Sequence, residues 1–162
     1  MGMIITGHTS GIGKALYQKY GGIGLSKSTG FDISTDDIQP YLKGSNVFVN
    51  NAWDGYDPFA QTRLLQAIID IGYKGKIISI GTNTMYNGNY KSSKIALEST
   101  NKDLFIAGHD TTLIKLGKVD TPRLDHVNDS KISLDDIISI FEFVLRFPHR
   151  IEIISIRPDR IM

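Results

Sequence analysis

The run MIITGHTSGIGKAL, Met3 to Leu16, frames the reading of the whole chain. Met3, Ile4 and Ile5 form an apolar trio that reads as a buried strand, Thr6 to Gly11 as a tight turn, and Ile12 onward as a helix whose Ile12, Ala15 and Leu16 face inward. A helix that opens on a glycine-rich turn presents unpaired backbone N–H groups and the positive end of its dipole to that turn. Such a point is a seat for a pyrophosphate, and Gly7, Gly11 and Gly13 let the backbone come close to one. Glycines in a strand-to-helix turn also serve plain packing, so the rest of the chain decides between the two uses.

At 162 residues the chain fits a single domain spanning 1–162, with a real core but no room for a second one. Its 18 basic and 17 acidic side chains leave a net charge of +1, which is not the electrostatic footprint of a nucleic-acid or anionic-membrane binder. A small-molecule ligand is expected instead. There is no cysteine, which removes disulfides and thiolate chemistry and points to an intracellular setting. No apolar run reaches the ~18 residues of a membrane span and no leader precedes the first strand, so a cytoplasmic protein is expected. His109, His126 and His149 are scattered without ligand spacing, and no metal site is expected; His8 stands in the turn, facing either an anion or solvent.

Along the chain, short apolar strands alternate with helical stretches. A strand is predicted at Ile23 to Leu25, followed by Ser26-Lys27-Ser28, where a dinucleotide fold meets the adenosine ribose. An acidic residue there would accept from a 2′-hydroxyl, whereas Ser26 and Lys27 suit a 2′-phosphate, so NADP(H) is favoured with NAD(H) as the alternative. A third strand, Phe31-Asp32-Ile33, leads to Ser34 as N-cap of a helix through Leu42. Then follow a strand at Val47 to Asn50, a helix over Pro58 to Gly72, a strand at Ile77 to Ile80, and a long helix from Tyr90 to about Gly108. Thr112 to Leu116 makes a sixth strand, Ser133 with Asp136 caps a last helix, and Ile151 to Ile156 makes a seventh strand. This alternation predicts an α/β, Rossmann-like, doubly wound parallel sheet of about seven strands with helices on both faces.

Tyr90 and Lys94 lie four apart at the head of a helix and so share a face. A tyrosine, with an ordinary pKa of about 10, is a poor proton donor near neutrality, and a neighbouring ammonium brings it toward the working range. Thr82, ending the preceding strand, adds a hydroxyl that can bond a carbonyl oxygen as charge builds on it. Met85 and Tyr86 either line a pocket or pack the loop between them.

Five segments occur in one order: TGHTSGIG at Thr6–Gly13, NNA at Asn50–Ala52, Thr82 at a strand end, YKSSK at Tyr90–Lys94 and GKVDTP at Gly117–Pro122. In this the sequence resembles the short-chain dehydrogenase/reductases over nearly its whole length. The resemblance implies that Gly7, Thr9, Ser10, Gly11, Ile12 and Gly13 cradle cofactor phosphates, and that Asp32, Ile33, Asn50, Asn51 and Ala52 flank the adenosine. It implies Tyr90 as catalytic acid/base and Lys94 as its partner and ribose ligand. Thr82 stands where the family has serine, and Gly117, Val119 and Thr121 lie toward the nicotinamide. It also implies a homodimer or homotetramer, paired through the Pro58–Gly72 and Tyr90–Gly108 helices.

The departures are equally specific. Trp53 replaces the glycine that usually follows the NNA motif, and the segments from Trp53 to Lys76 and from Thr82 to Tyr90 are short. The family's asparagine in the helix after NNA has no clear counterpart; counting back from Ala67 reaches Asp57, which does not persuade. The expected reaction is hydride exchange between NADP(H) and a small carbonyl or alcohol. The alternative is a cofactor-binding protein without efficient catalysis, in a redox-sensing or structural role.

Overall fold

A computed structural model describes residues 2–83, 88–122 and 130–158. Met85, Tyr86 and His126 lie outside the described residues. The chain runs β1 (Met3–Thr6), α1 (Gly11–Tyr20), β2 (Ile23–Leu25), α2 (Gln39–Leu42), β3 (Val47–Asn50), α3 (Ala60–Asp70), β4 (Lys76–Thr82), α4 (Gly88–Ile106), β5 (Thr111–Leu116), α5 (Leu134–Arg146) and β6 (Ile153–Ile156). All the strands pair in parallel in one sheet of order β2-β1-β3-β4-β5-β6.

The apolar runs explain the layers. A parallel strand covered on both faces must be apolar at successive positions, and β1 and β3 are buried at every residue. Their alternate side chains feed two cores. Ile5, Val49, Ile78 and Ile114 face Leu16 of α1 and Ile137, Phe141 and Val144 of α5. Ile4, Phe48, Ile77 and Leu113 face Leu65 and Ile68 of α3 and Leu97 of α4. The last helix starts as its sequence predicts: Ser133 Oγ accepts from Asp136 N at 3.1 Å and the Asp136 carboxylate reaches back to Ser133 N at 3.3 Å.

Among the described residues the sheet has six strands, one fewer than the roughly seven expected. Phe31-Asp32-Ile33 is not a strand, and the helix expected over 34–42 shrinks to the single turn of α2. The cause is local hydrogen bonding. Ser34 N donates to Asp32 Oδ1 at 2.9 Å, Asp32 N donates to Asp36 Oδ2 at 2.7 Å, and Asp36 N donates to the Asp32 carbonyl at 2.9 Å. These side-chain turns compete with both ladder and helix. Phe31 still buries its ring in the α3–α4 core, edge-on to Tyr41. Among the described residues no helix is long and apolar enough to cross a membrane, and no group of three or more His, Asp or Glu is placed to hold a metal.

Candidate functional site

The strand order reverses between β1 and β3, because the chain goes from β1 outward to β2 and then returns to β1's other side. In an open α/β sheet a crevice forms at the carboxyl ends of the strands at such a point, and ligands bind there. A cleft of about 530 Å³ lies there, walled by the turn after β1, the segment after β2, residues 51–56 after β3, and Thr121 and Pro122.

Thr6 builds its floor. The Thr6 hydroxyl donates to the Val49 carbonyl at 3.2 Å and accepts from the backbone N–H groups of Asn51 and Ala52, both at 3.0 Å. Asn51 returns the tie, its Nδ2 donating to the Thr6 carbonyl at 3.0 Å. The ends of β1 and β3 are thereby locked together under the cleft.

The glycine turn keeps the geometry an anion needs. Gly11 begins α1 with φ of 51°, and a Cβ there would stand 3.4 Å from the Thr121 methyl across the cleft. A Cβ on Gly13 would overlap the Gly7 carbonyl oxygen, so only glycine lets α1 pack this close to the turn. Ser10, the N-cap, makes no side-chain capping bond and the first turn carries no acidic residue. The N-terminal N–H groups of this ten-residue helix, at the cleft wall, suit a pyrophosphate.

The sequence-predicted residues divide. Gly7, Thr9, Ser10, Gly11 and Ile12 line the cleft, as do Ser26, Lys27, Asp32, Ile33, Asn51, Ala52 and Thr121. Gly13 supports the turn from behind. Asn50 does not line the cleft: its side chain is fully buried and donates to the Gln61 carbonyl at 3.0 Å. Val119 is buried in the α1–α5 core, and Gly117 lies beside Pro158 at the end of β6. His8 does not line the cleft: it is half-buried, its ring packs edge-on to Tyr17 at 4.9 Å and its Nδ1 is buried.

At the β2 end of the cleft, Lys27 Nζ lies 2.9 Å from Asp32 Oδ2 and 3.0 Å from Asp54 Oδ2. The hydrogen bonds Lys27 donates to Asp32, first, and then to Asp54 raise its pKa above the ordinary lysine value. Asp54 is held below the usual carboxylate range, first by the Tyr56 backbone N–H and then by Lys27; for Asp32 the order is the Ser34 N–H, then Lys27. Thr9, Ser26 and Ser28 close a triangle of hydroxyl contacts of 3.0 to 3.2 Å beside them.

At the other end, Tyr90 and Lys94 come together on α4. The Lys94 ammonium stands 5.5 Å from the centre of the Tyr90 ring. Trp53 packs edge-on to the same ring at 4.9 Å, and its indole N–H donates to Ser93 Oγ at 3.3 Å. Lys94 itself points inward: Nζ donates to Gln61 Oε1 at 2.7 Å and to the Ile80 carbonyl at 3.2 Å. Thr82, at the end of β4, has its hydroxyl 3.4 Å from the Leu116 carbonyl, a long contact.

Gln61, Asp54 and Tyr56 were not singled out from the sequence. Gln61 carried a readable signal, since it stands at helical spacing with Leu64, Leu65 and Ile68 on a face that is otherwise buried and apolar. Asp57 forms an ion pair with Arg63.

No family model matches the sequence, and no curated protein matches it in sequence. Its fold, by contrast, has many counterparts among solved structures. A 3-alpha-hydroxysteroid dehydrogenase from a Pseudomonas species, complexed with NADH, superposes with a TM-score of 0.72 at 13% identity, over 97% of this chain and 95% of that one. A betaketoacyl-[ACP] reductase from Bacteroides thetaiotaomicron gives 0.71 at 21% identity, over 98% and 97%. A short chain dehydrogenase from Burkholderia cenocepacia, in complex with NADP, gives 0.70 at 14% identity, over 97% and 87%. The chain has the fold of the short-chain dehydrogenase/reductases.

Proposed function

We propose that this chain is a short-chain dehydrogenase/reductase in function as well as fold: one dinucleotide-binding domain that exchanges a hydride between a nicotinamide dinucleotide and a small carbonyl or alcohol. The observation that carries the reading is Tyr90, whose ring is held between Trp53, in the cleft wall, and the Lys94 ammonium. Similar folds crystallised with NADH and with NADP support a nicotinamide ligand. The α1 N-terminus and its glycine turn would hold the pyrophosphate, and residues 51–56 the adenosine side. A nicotinamide bound there would supply or accept the hydride. In the reducing direction the carbonyl π bond opens as its carbon takes the hydride, and Tyr90 gives its hydroxyl proton to the oxygen. Lys94 stabilises the phenolate left behind, and Thr82 orients the substrate oxygen. The case for NADP(H) over NAD(H) was Lys27, a lysine shared by two carboxylates.

The reading includes a homodimer or homotetramer, supported by the exposed Ile95 and Ile106 on α4, and a cytoplasmic setting, supported by the cysteine-free sequence. A second reading, cofactor binding without efficient turnover, is favoured by one observation, the engagement of Lys94 with Gln61 and Ile80 in the interior.

The test is a parallel titration of the full chain with NADH and NADPH, following the emission of Trp53, its only tryptophan. A panel of small ketones is then screened by loss of nicotinamide absorbance. Binding with turnover is the expected outcome. Binding without turnover on any ketone selects the second reading, and binding of neither dinucleotide overturns both.

A further inference from the structure

Resting on the reading of the cleft as a dinucleotide site, we propose that Asp54 is a specificity-determining residue that turns the adenosine end toward a free ribose 2′-hydroxyl, so that this chain prefers NAD(H) to NADP(H). The preference is the reverse of what Ser26-Lys27-Ser28 predicts.

In dinucleotide folds the group that reads the 2′ position stands about 20 residues past the glycine turn, at the end of the second strand. Here that place is held by Ser26 and Lys27, directly after β2. Among the described residues Lys27 is the only basic one lining the cleft, and the same wall carries two carboxylates, Asp32 and Asp54. Both bond the lysine, at 2.9 and 3.0 Å. The formal charge of this trio is negative.

The carboxylates are the fixed partners. Asp54 is held by its own turn, Oδ1 accepting from Tyr56 N at 2.8 Å, and its side chain is only 11% exposed against 65% for Lys27. A 2′-phosphate, bearing about −1.5 to −2 charges at neutral pH, accepts hydrogen bonds but has little to donate. It would draw Lys27 out of weak surface ion pairs and meet the two carboxylates left behind. A 2′-hydroxyl meets no such opposition, because it donates to a carboxylate directly. The hydroxyls of Thr9, Ser26 and Ser28 are neutral and serve either group, so charge decides. Asp54 comes from the turn after β3 rather than from β2, so a reading of β2's end alone misses it.

The test is calorimetric titration of the full chain with NADH, NADPH, 5′-ADP and 2′,5′-ADP, in low and high salt. The wild type should bind NADH roughly tenfold or more tighter than NADPH, the ratio narrowing with salt as exposed charges are screened. Asp54→Asn keeps an acceptor for Tyr56 N and removes the charge. It should shrink the ratio by roughly tenfold, mainly by tightening NADPH and 2′,5′-ADP. Asp54→Ser provides the same comparison should the first variant fail to fold by circular dichroism. A wild type that prefers NADPH, or an unchanged ratio in a folded variant, overturns the proposal while leaving the dinucleotide site standing. Binding of none of the four ligands overturns the site and the proposal together.

Discussion

Lys94 Nζ donates to Gln61 Oε1 at 2.7 Å, and the amide that receives it has no freedom to turn. Gln61 Nε2 donates to the Asn50 carbonyl at 2.6 Å and to the Ile80 carbonyl at 3.2 Å, and since carbonyls only accept, the amide oxygen must face the lysine. One buried side chain of α3 thus joins β3, β4 and α4 directly beneath the candidate proton donor. Replacing it by Met keeps the volume and removes every one of these bonds. Gln61→Met should lower stability by about 1.5–3 kcal/mol, the cost of breaking a buried hydrogen bond to a charged group. Urea unfolding measures that loss. If Gln61 also positions Lys94 for catalysis, the pH optimum of ketone reduction moves upward in the variant, whereas a purely structural role leaves the normalised pH profile superimposable on the wild type.

Tyr90→Phe removes one hydroxyl and leaves the ring contacts to Trp53 and Lys94 in place. Turnover should fall by roughly 10²- to 10⁴-fold, the usual worth of a positioned acid or base, with cofactor affinity unchanged. Initial rates and Trp53 emission titrations read the two quantities separately. Persistent turnover would assign the proton to another group.

What the sequence made legible follows where the interactions are made. The alternation of β1, β3, β4 and β5 with α1, α3, α4 and α5 is written in local apolar periodicity, and the turn at Gly7 to Gly13 in the residues that a close backbone approach requires. The pairing of Tyr90 with Lys94 is a single turn of helix. The strand expected at Phe31-Asp32-Ile33 failed because its polar neighbours close on one another, a competition that hydrophobic pattern does not register. Gln61 with Lys94, and Asp54 with Lys27, join residues 33 and 27 apart in the chain, and spacing carries no information about them.

The carboxylates give the site a pH signature. Asp32 and Asp54 have folded-state pKa values below the ordinary value of 3.8, so the folded chain binds fewer protons than the unfolded one as pH falls. Their contribution to stability is fully present above that value and is lost as pH drops through it to the depressed folded values. Wild type and Asp54→Asn should therefore differ in urea midpoint above the ordinary carboxylate value of 3.8, and the difference should shrink progressively as pH falls below it. Curves that stay parallel across the range would show that Asp54 stabilises the fold through its shape and not its charge.

Gly13 separates architecture from chemistry in the phosphate turn. It is buried beneath the turn, and a Cβ there would run into the Gly7 carbonyl oxygen and stand 2.7 Å from Asn51 Nδ2. Both obstacles are rigid. The Gly7 carbonyl belongs to the turn itself, and Asn51 is tied to Thr6, so the added methyl must push α1 away from the sheet. Overpacking of this kind costs about 1–3 kcal/mol, and here the displaced element is the helix whose N-terminus walls the cleft and, in the proposed reading, would hold the pyrophosphate. Gly13→Ala should lower the urea midpoint and also weaken NADH binding, although residue 13 does not line the cleft. Gly11→Ala should spare the packing, since its Cβ meets only the Thr121 methyl at 3.4 Å, yet strain a backbone at φ 51° on the open side of the turn. Its binding loss should therefore exceed its stability loss relative to Gly13→Ala. Equal ratios in the two variants would mean that the turn acts as one rigid unit.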